Sequence, residues 1–212
     1  MSEFAPQRAA MVERQLRRRG IHDERVLAAM GEVPREAFLS ADLRDRAYED
    51  SALPVYGRQT ISQPWIVAAI AQAMRLGGEE RVLEIGTGTG YSTCVLSLLA
   101  AEVISIERLE PLSCSAGEAL AALGVENVEL IVGDGSRGLP ERAPFDAIAV
   151  HAAAPGPPPA LLDQLGDRGR LVVPVVQEAE ELLIGYRRSG ARLETEVIGP
   201  CRFVPLIGEQ GY

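Results

Sequence analysis

The chain has 212 residues, is 47% apolar and carries a formal net charge of −9. That describes one medium globular domain, long enough to bury a substantial core. The acidic balance argues against nonspecific nucleic-acid binding, which rests on basic patches. The cysteines are Cys94, Cys114 and Cys201, an odd count without a C-x-x-C spacing, and read as reduced thiols of a cytoplasmic protein. His22 and His151 are the only histidines, so no metal cluster is expected. Neither an apolar signal core nor a run of transmembrane length is read in the chain, and no membrane role is expected.

In chain order, residues 7–19 read as a helix with Met11, Val12 and Leu16 as a thin apolar stripe, stopped by Gly20. Arg14, Arg17, Arg18 and Arg19 fit a solvated helix face better than a basic patch. Asp23 caps a second helix with Val26, Leu27 and Met30 inward, ended by Pro34. Residues 35–57 are charged and irregular, anchored by Phe38, Leu39, Leu43, Tyr48 and Leu53. Residues 59–65, QTISQPW, form a polar loop entering a helix. Ser62 reads as the N-cap, Pro64 as the first turn, and Ile66, Val67, Ile70 and Met74 as the buried face.

The chain is organised around residues 82–90, VLEIGTGTG. An apolar strand enters a glycine turn, and a helix follows with Val95, Leu96, Leu98 and Leu99 on its apolar side. Glycine lets the backbone approach a ligand closely, and helix N-terminal amides favour a negative group there. Gly86, Thr87, Gly88 and Gly90 therefore read as a cofactor cradle. The third glycine of the dinucleotide fingerprint belongs at position 91, which is Tyr91. Glu84, just before the turn, would repel a pyrophosphate but would suit an ammonium and a sulfonium. S-adenosylmethionine is the cofactor most consistent with those charges. Glu107 ends the next strand about 20 residues on, where a carboxylate grips ribose hydroxyls.

Beyond the turn the pattern is regular: a helix over 112–123, a strand over 128–132, Asp134 and Gly135 at its end, a strand over 147–150, a short helix over 160–165 and a strand over 171–176. This alternation predicts a mostly parallel sheet covered on both faces. Residues 182–186, 193–198 and 203–207 read as short antiparallel edge strands. The expected division is a helical region over 1–58, a cofactor-binding core over 59–176 and C-terminal strands over 177–212.

Several stretches together resemble protein-L-isoaspartate O-methyltransferases: VPREAF (33–38), AYEDSALP (47–54), QTISQP (59–64), VLEIGTGTGY (82–91), ISIER (104–108), GDG (133–135), PFDAI (144–148), AAAP (152–155), LDQLGDRGRLVVPV (162–175) and RFVPL (202–206). The glycine turn is common to many methyltransferases; QTISQP is far more specific. The resemblance implies a Rossmann-like methyltransferase fold, mostly parallel and doubly wound, with antiparallel C-terminal strands and N-terminal helices over the active site. It implies methyl transfer from S-adenosylmethionine to the α-carboxylate of an L-isoaspartyl residue in damaged proteins or peptides. The ester then collapses to a succinimide that partly reopens as aspartate. Ser62 falls on the family's active-site serine. Thr60, Ile61, Glu84, Gly86, Thr87, Gly88, Gly90, Glu107, Arg108, Asp134 and Gly135 are the implied cofactor contacts, with Asp134 at the adenine amine. The alternative for Asp134 is a cap on the turn that follows it.

The chain departs from the family's pattern at Arg58, where glycine is usual, and at His151, Val176 and Glu180. These departures bear on the acceptor more than on the cofactor. A same-fold enzyme acting on a dedicated peptide or small molecule is the alternative reading, and a cofactor-binding module without activity a third. His151 stands at a strand end on the ligand side of the sheet. Its ring either faces the cleft and meets the acceptor carboxylate, or is bonded locally and has no substrate role.

Overall fold

The computed structural model describes residues 3–178 and 180–212. Helix α1 spans Ala5–Met11 and continues through a wider turn at Val12–Leu16 and a tight one at Arg17–Arg19 to Gly20, whose φ is 93°. Arg14, Arg17, Arg18 and Arg19 are exposed to solvent: Arg17 pairs with Glu24 and Glu13, Arg18 with Glu13, and Arg19 with Asp50. The Asp23 carboxylate accepts from the amides of Arg25 and Val26 and caps α2, Glu24–Glu32. Tight turns at Arg35–Phe38 and Ala41–Arg46 follow. Then β1, Leu53–Pro54, pairs antiparallel with β2, Thr60–Ile61, around a left-handed turn at Tyr56–Arg58.

Helix α3 covers Pro64–Met74. Its cap is Gln63 rather than the expected Ser62. Proline has no amide hydrogen and holds the residue before it extended, so the helix begins one residue later than the serine required. The remaining elements are β3 (Arg81–Ile85), α4 (Tyr91–Ser97), β4 (Glu102–Glu107), α5 (Glu110–Ala122), β5 (Val128–Val132), β6 (Phe145–Val150), α6 (Pro159–Leu162), β7 (Leu165–Gln177), β8 (Glu180–Ser189) and β9 (Arg192–Pro200).

The large sheet has the order β5-β4-β3-β6-β7-β8-β9. Its pairs are parallel from β5 to β7 and antiparallel from β7 to β9. Strand parity sorts the core into two layers. Val82, Val103, Ala147, Ala149 and Val172 face α2, α3 and α4, with Met30, Ile70 and Val95. Leu83, Ile104, Ile148, Leu171 and Val173 face the opposite side with Leu161 and Leu206. Central strands buried on both faces account for the near-continuous apolar runs in the sequence.

Other expectations are corrected. Leu98 lies past the end of α4 and is 43% exposed. β7 begins at Leu165, so the stretch 165–170 read as helix end and glycine turn is already strand. Residues 203–207 form no strand. They run as a strap tied to Ala153: the Ala153 amide donates to the Val204 carbonyl (2.8 Å) and the Leu206 amide donates to the Ala153 carbonyl (2.8 Å). Pro205 has no amide to give a ladder, which confines this stretch to an isolated contact.

Candidate active site

The C-terminal ends of β3, β4 and β6 open into a two-lobed cleft, where open α/β sheets take their ligands. The larger lobe, about 300 Å³, is bounded by the turn at Gly57 and Arg58, by Glu107 and Arg108, by Gly135, and by the strap at Leu206. The smaller lobe, about 60 Å³, contains Thr60, Ile61 and Ser62 on one side and Gly86, Thr87 and Gly88 on the other. Gln59, Gly86, Glu107, His151 and Val204 border both.

Gly86 and Gly88 have φ of 92° and 55°, the left-handed region that glycine enters without a Cβ penalty. A Cβ on Gly88 would meet nothing within 4 Å, so this backbone faces open space along the cleft. Glu107 is 6% exposed. One of its oxygens accepts from the Gly88 amide (2.9 Å) and the other from the Leu109 amide (3.0 Å). A carboxylate has about four acceptor sites, so each oxygen keeps capacity for a hydroxyl. The open glycine backbone and a fixed carboxylate beside a lobe of this size fit a nucleoside-bearing cofactor.

Glu84 takes a different place from the one its sequence position suggested. It is 0% exposed and lies beneath the turn, outside the cleft lining. One oxygen accepts from the hydroxyls of Thr93 (2.5 Å) and Ser105 (2.6 Å). The other makes no hydrogen bond but has His151 Nε2 at 3.1 Å. The same nitrogen is 2.9 Å from Ser92 Oγ. His151 thus borders the cleft while Nε2 is turned inward, toward Glu84 and Ser92 rather than toward an acceptor.

Asp134 caps the turn Gly135–Arg137 through the Ser136 amide (2.9 Å) and hydroxyl (2.7 Å). Its second oxygen accepts from the Glu209 amide (2.8 Å) of the C-terminal segment. Burial raises this carboxyl, but the Glu209 amide, the Ser136 hydroxyl and amide and the nearby Arg137 charge outweigh it and hold it below its ordinary value. The structure therefore gives the capping alternative a definite geometry. Gly135, beside it, lines the larger lobe.

The Ser62 hydroxyl makes no hydrogen bond among the described residues. Its carbonyl accepts from Arg35 Nη1 (2.9 Å). Arg35 is fully buried, donates also to the Ala47 carbonyl (2.6 Å), and lies 5.0 Å from the Tyr91 ring centroid. Burial lowers the guanidinium below its usual range, while the neighbouring Tyr91 and Tyr48 act the other way. Arg35 is the site-positioning residue that the sequence reading passed over; its signal was a charged residue in an otherwise anchoring stretch. Val176 and Glu180 lie around the β7–β8 hairpin and outside the cleft lining.

A seven-stranded sheet with this order, a glycine turn after β3 and an acid ending β4 define a Rossmann-like methyltransferase that uses S-adenosylmethionine. The protein-L-isoaspartate(D-aspartate) O-methyltransferase family model matches residues 7–211. Protein-L-isoaspartate O-methyltransferase 1 of Rhodopseudomonas palustris (strain HaA2) is 52% identical across 100% of this chain and 87% of its own length. The Koribacter versatilis enzyme of the same name is 49% identical across 100% of this chain and 96% of its own. A solved protein-L-isoaspartate O-methyltransferase superposes with a TM-score of 0.85 at 31% identity, over 96% of this chain and 67% of that one. The chain belongs to the protein-L-isoaspartate(D-aspartate) O-methyltransferase family.

Proposed function

We propose that the protein methylates the α-carboxylate of L-isoaspartyl residues in damaged proteins or peptides, using S-adenosylmethionine, and so initiates their repair. The observation that carries this reading is the single small lobe bordered by both Ser62 and the glycine turn. The cofactor supplies, when bound, a methyl group on a sulfonium. The acceptor carboxylate is already ionised near neutral pH and needs no general base. What the chain must supply is position and the exclusion of water. Orientation of this kind contributes up to about 7–11 kcal/mol. The Ser62 hydroxyl, free of any capping bond, is available to donate to one carboxylate oxygen and leave the other to attack. Arg35, through the Ser62 carbonyl, holds that residue in place. Glu107 would hold ribose hydroxyls, with Thr60, Ile61, Gly86, Thr87, Gly88, Arg108 and Gly135 around the cofactor, whereas Gly90 lies outside the cleft lining, caps α4 and faces Ala116 and Phe38.

The test is methyl transfer to an isoaspartyl peptide and to its aspartyl counterpart. Transfer to the first and not the second is expected. Transfer to neither, with S-adenosylhomocysteine still bound, would favour a dedicated small-molecule acceptor.

A further inference from the structure

The turn at Tyr56–Arg58 contains two successive left-handed residues, Gly57 with φ 71° and Arg58 with φ 60°. For glycine this conformation is free of penalty. For a long side chain it is uncommon and costs stability, and such strain concentrates at functional sites. Among the described residues, the other non-glycine residues with positive φ, Arg75, Arg168 and Glu178, lie outside the cleft. Arg58 alone among them borders it.

Arg58 is exposed and, among the described residues, takes part in no ion pair or hydrogen bond. The neighbouring Arg108, on the same lobe, is likewise exposed and without an ion pair among the described residues. The acid lining this lobe is Glu107, whose carboxylate is buried and held by backbone amides. Since Arg108 is already counted among the cofactor's contacts, Arg58 is, among the described residues, the uncommitted cation in the lining of this lobe, in a chain of net charge −9. From Arg58 the chain runs directly through Gln59 and β2 to Ser62, so this cation sits on the segment that presents the acceptor's proposed partner.

We infer that Arg58 is a specificity-determining residue that selects acceptor peptides carrying an acidic side chain next to the isoaspartyl residue. This rests on the isoaspartyl reading above. An exposed charge pair is worth little, and one that becomes hydrogen-bonded more, so a preference of about three- to tenfold is expected. Because the contact is remote from the transferred methyl, it acts on KM and leaves kcat unchanged.

The experiment uses the full chain and three isoaspartyl peptides that differ in one neighbouring residue: glutamate, glutamine or lysine. The wild type is expected to favour the glutamate peptide through KM, with the preference shrinking as sodium chloride is raised. Arg58→Gly should equalise the three, keep kcat on the glutamine peptide, bind S-adenosylhomocysteine within twofold of wild type and melt no lower. Arg58→Lys, which keeps the charge, should retain the preference. A wild type indifferent to the neighbour, or an Arg58→Gly variant that still discriminates, overturns the inference while leaving isoaspartyl methylation standing. A parallel loss of S-adenosylhomocysteine affinity would assign the cation to the cofactor and also overturn it. Failure to methylate any of the peptides would remove the underlying functional reading itself.

Discussion

The two walls of the cleft are built in opposite ways. The glycine-turn wall rests on buried polar chemistry: Glu84 beneath it joins Thr93, Ser105 and His151, while Glu107 ties the Gly88 amide. The facing loop, from Tyr56 to Gln63, is tied by a two-residue strand pair, by Gln63 to Asp50 and by one buried arginine on the Ser62 carbonyl. One wall is over-determined and rigid. The other is lightly held, carries a strained residue, and leaves a hydroxyl uncommitted. Binding a nucleoside demands a preorganised cradle, whereas admitting varied peptides demands a surface whose polar groups are still available.

The contrast can be broken most directly at Glu84. Glu84→Ala takes the acceptor away from the buried Thr93 hydroxyl and one of two partners from Ser105, leaves a void beneath the turn, and should cost about 3 kcal/mol of unfolding free energy in a denaturant titration. A loss below about 1 kcal/mol would mean that the wall does not depend on this carboxylate. Ser62→Ala is the counterpart on the other side. Losing a hydrogen bond to a charged acceptor should lower turnover by roughly 10- to 100-fold, or about 1.5–3 kcal/mol. With no cap to lose, the melting temperature should stay close to wild type. A large drop in melting temperature would put Ser62 among the structural residues.

Glu107→Ala tests whether the rigid wall also binds. S-adenosylhomocysteine affinity should fall about tenfold by calorimetry, since charge-assisted bonds to hydroxyls are lost. Unchanged affinity would leave Glu107 with the backbone alone. The smallest effect is expected at Asp134. Its folded pKa is depressed, so its contribution to stability is present above the unfolded value and is lost as pH falls through the folded one. Acid unfolding below about pH 4 should therefore be less steep in Asp134→Asn, with stability near neutrality reduced by loss of the Glu209 tie. Identical acid profiles would remove the tie between Asp134 and the C-terminal segment.

Much of the architecture was legible because its signals are local. A strand, a glycine turn and a helix announce themselves within ten residues, and alternating strands and helices prescribe a parallel sheet. Asp23 was read correctly as a cap because its partners lie only two and three residues away. Family membership was legible too, since QTISQP and the strand motifs are contiguous.

What the sequence by itself determined, then, was the order and kind of the central elements, the family, and the cofactor they imply. Tertiary structure alone decided which polar group meets which. Glu84 could be placed under the turn rather than in the cleft only once α4 and β4 delivered Thr93 and Ser105 to it. Asp134 meets an amide 75 residues away, and His151 meets a serine 59 residues away. The strap at 203–207 looked like a strand because its composition is apolar, and Ser62 looked like a cap because its residue type favours one. Periodicity and capping preference are properties of neighbouring residues. Hydrogen-bond partners across a sheet are set by register and packing, which no local pattern encodes.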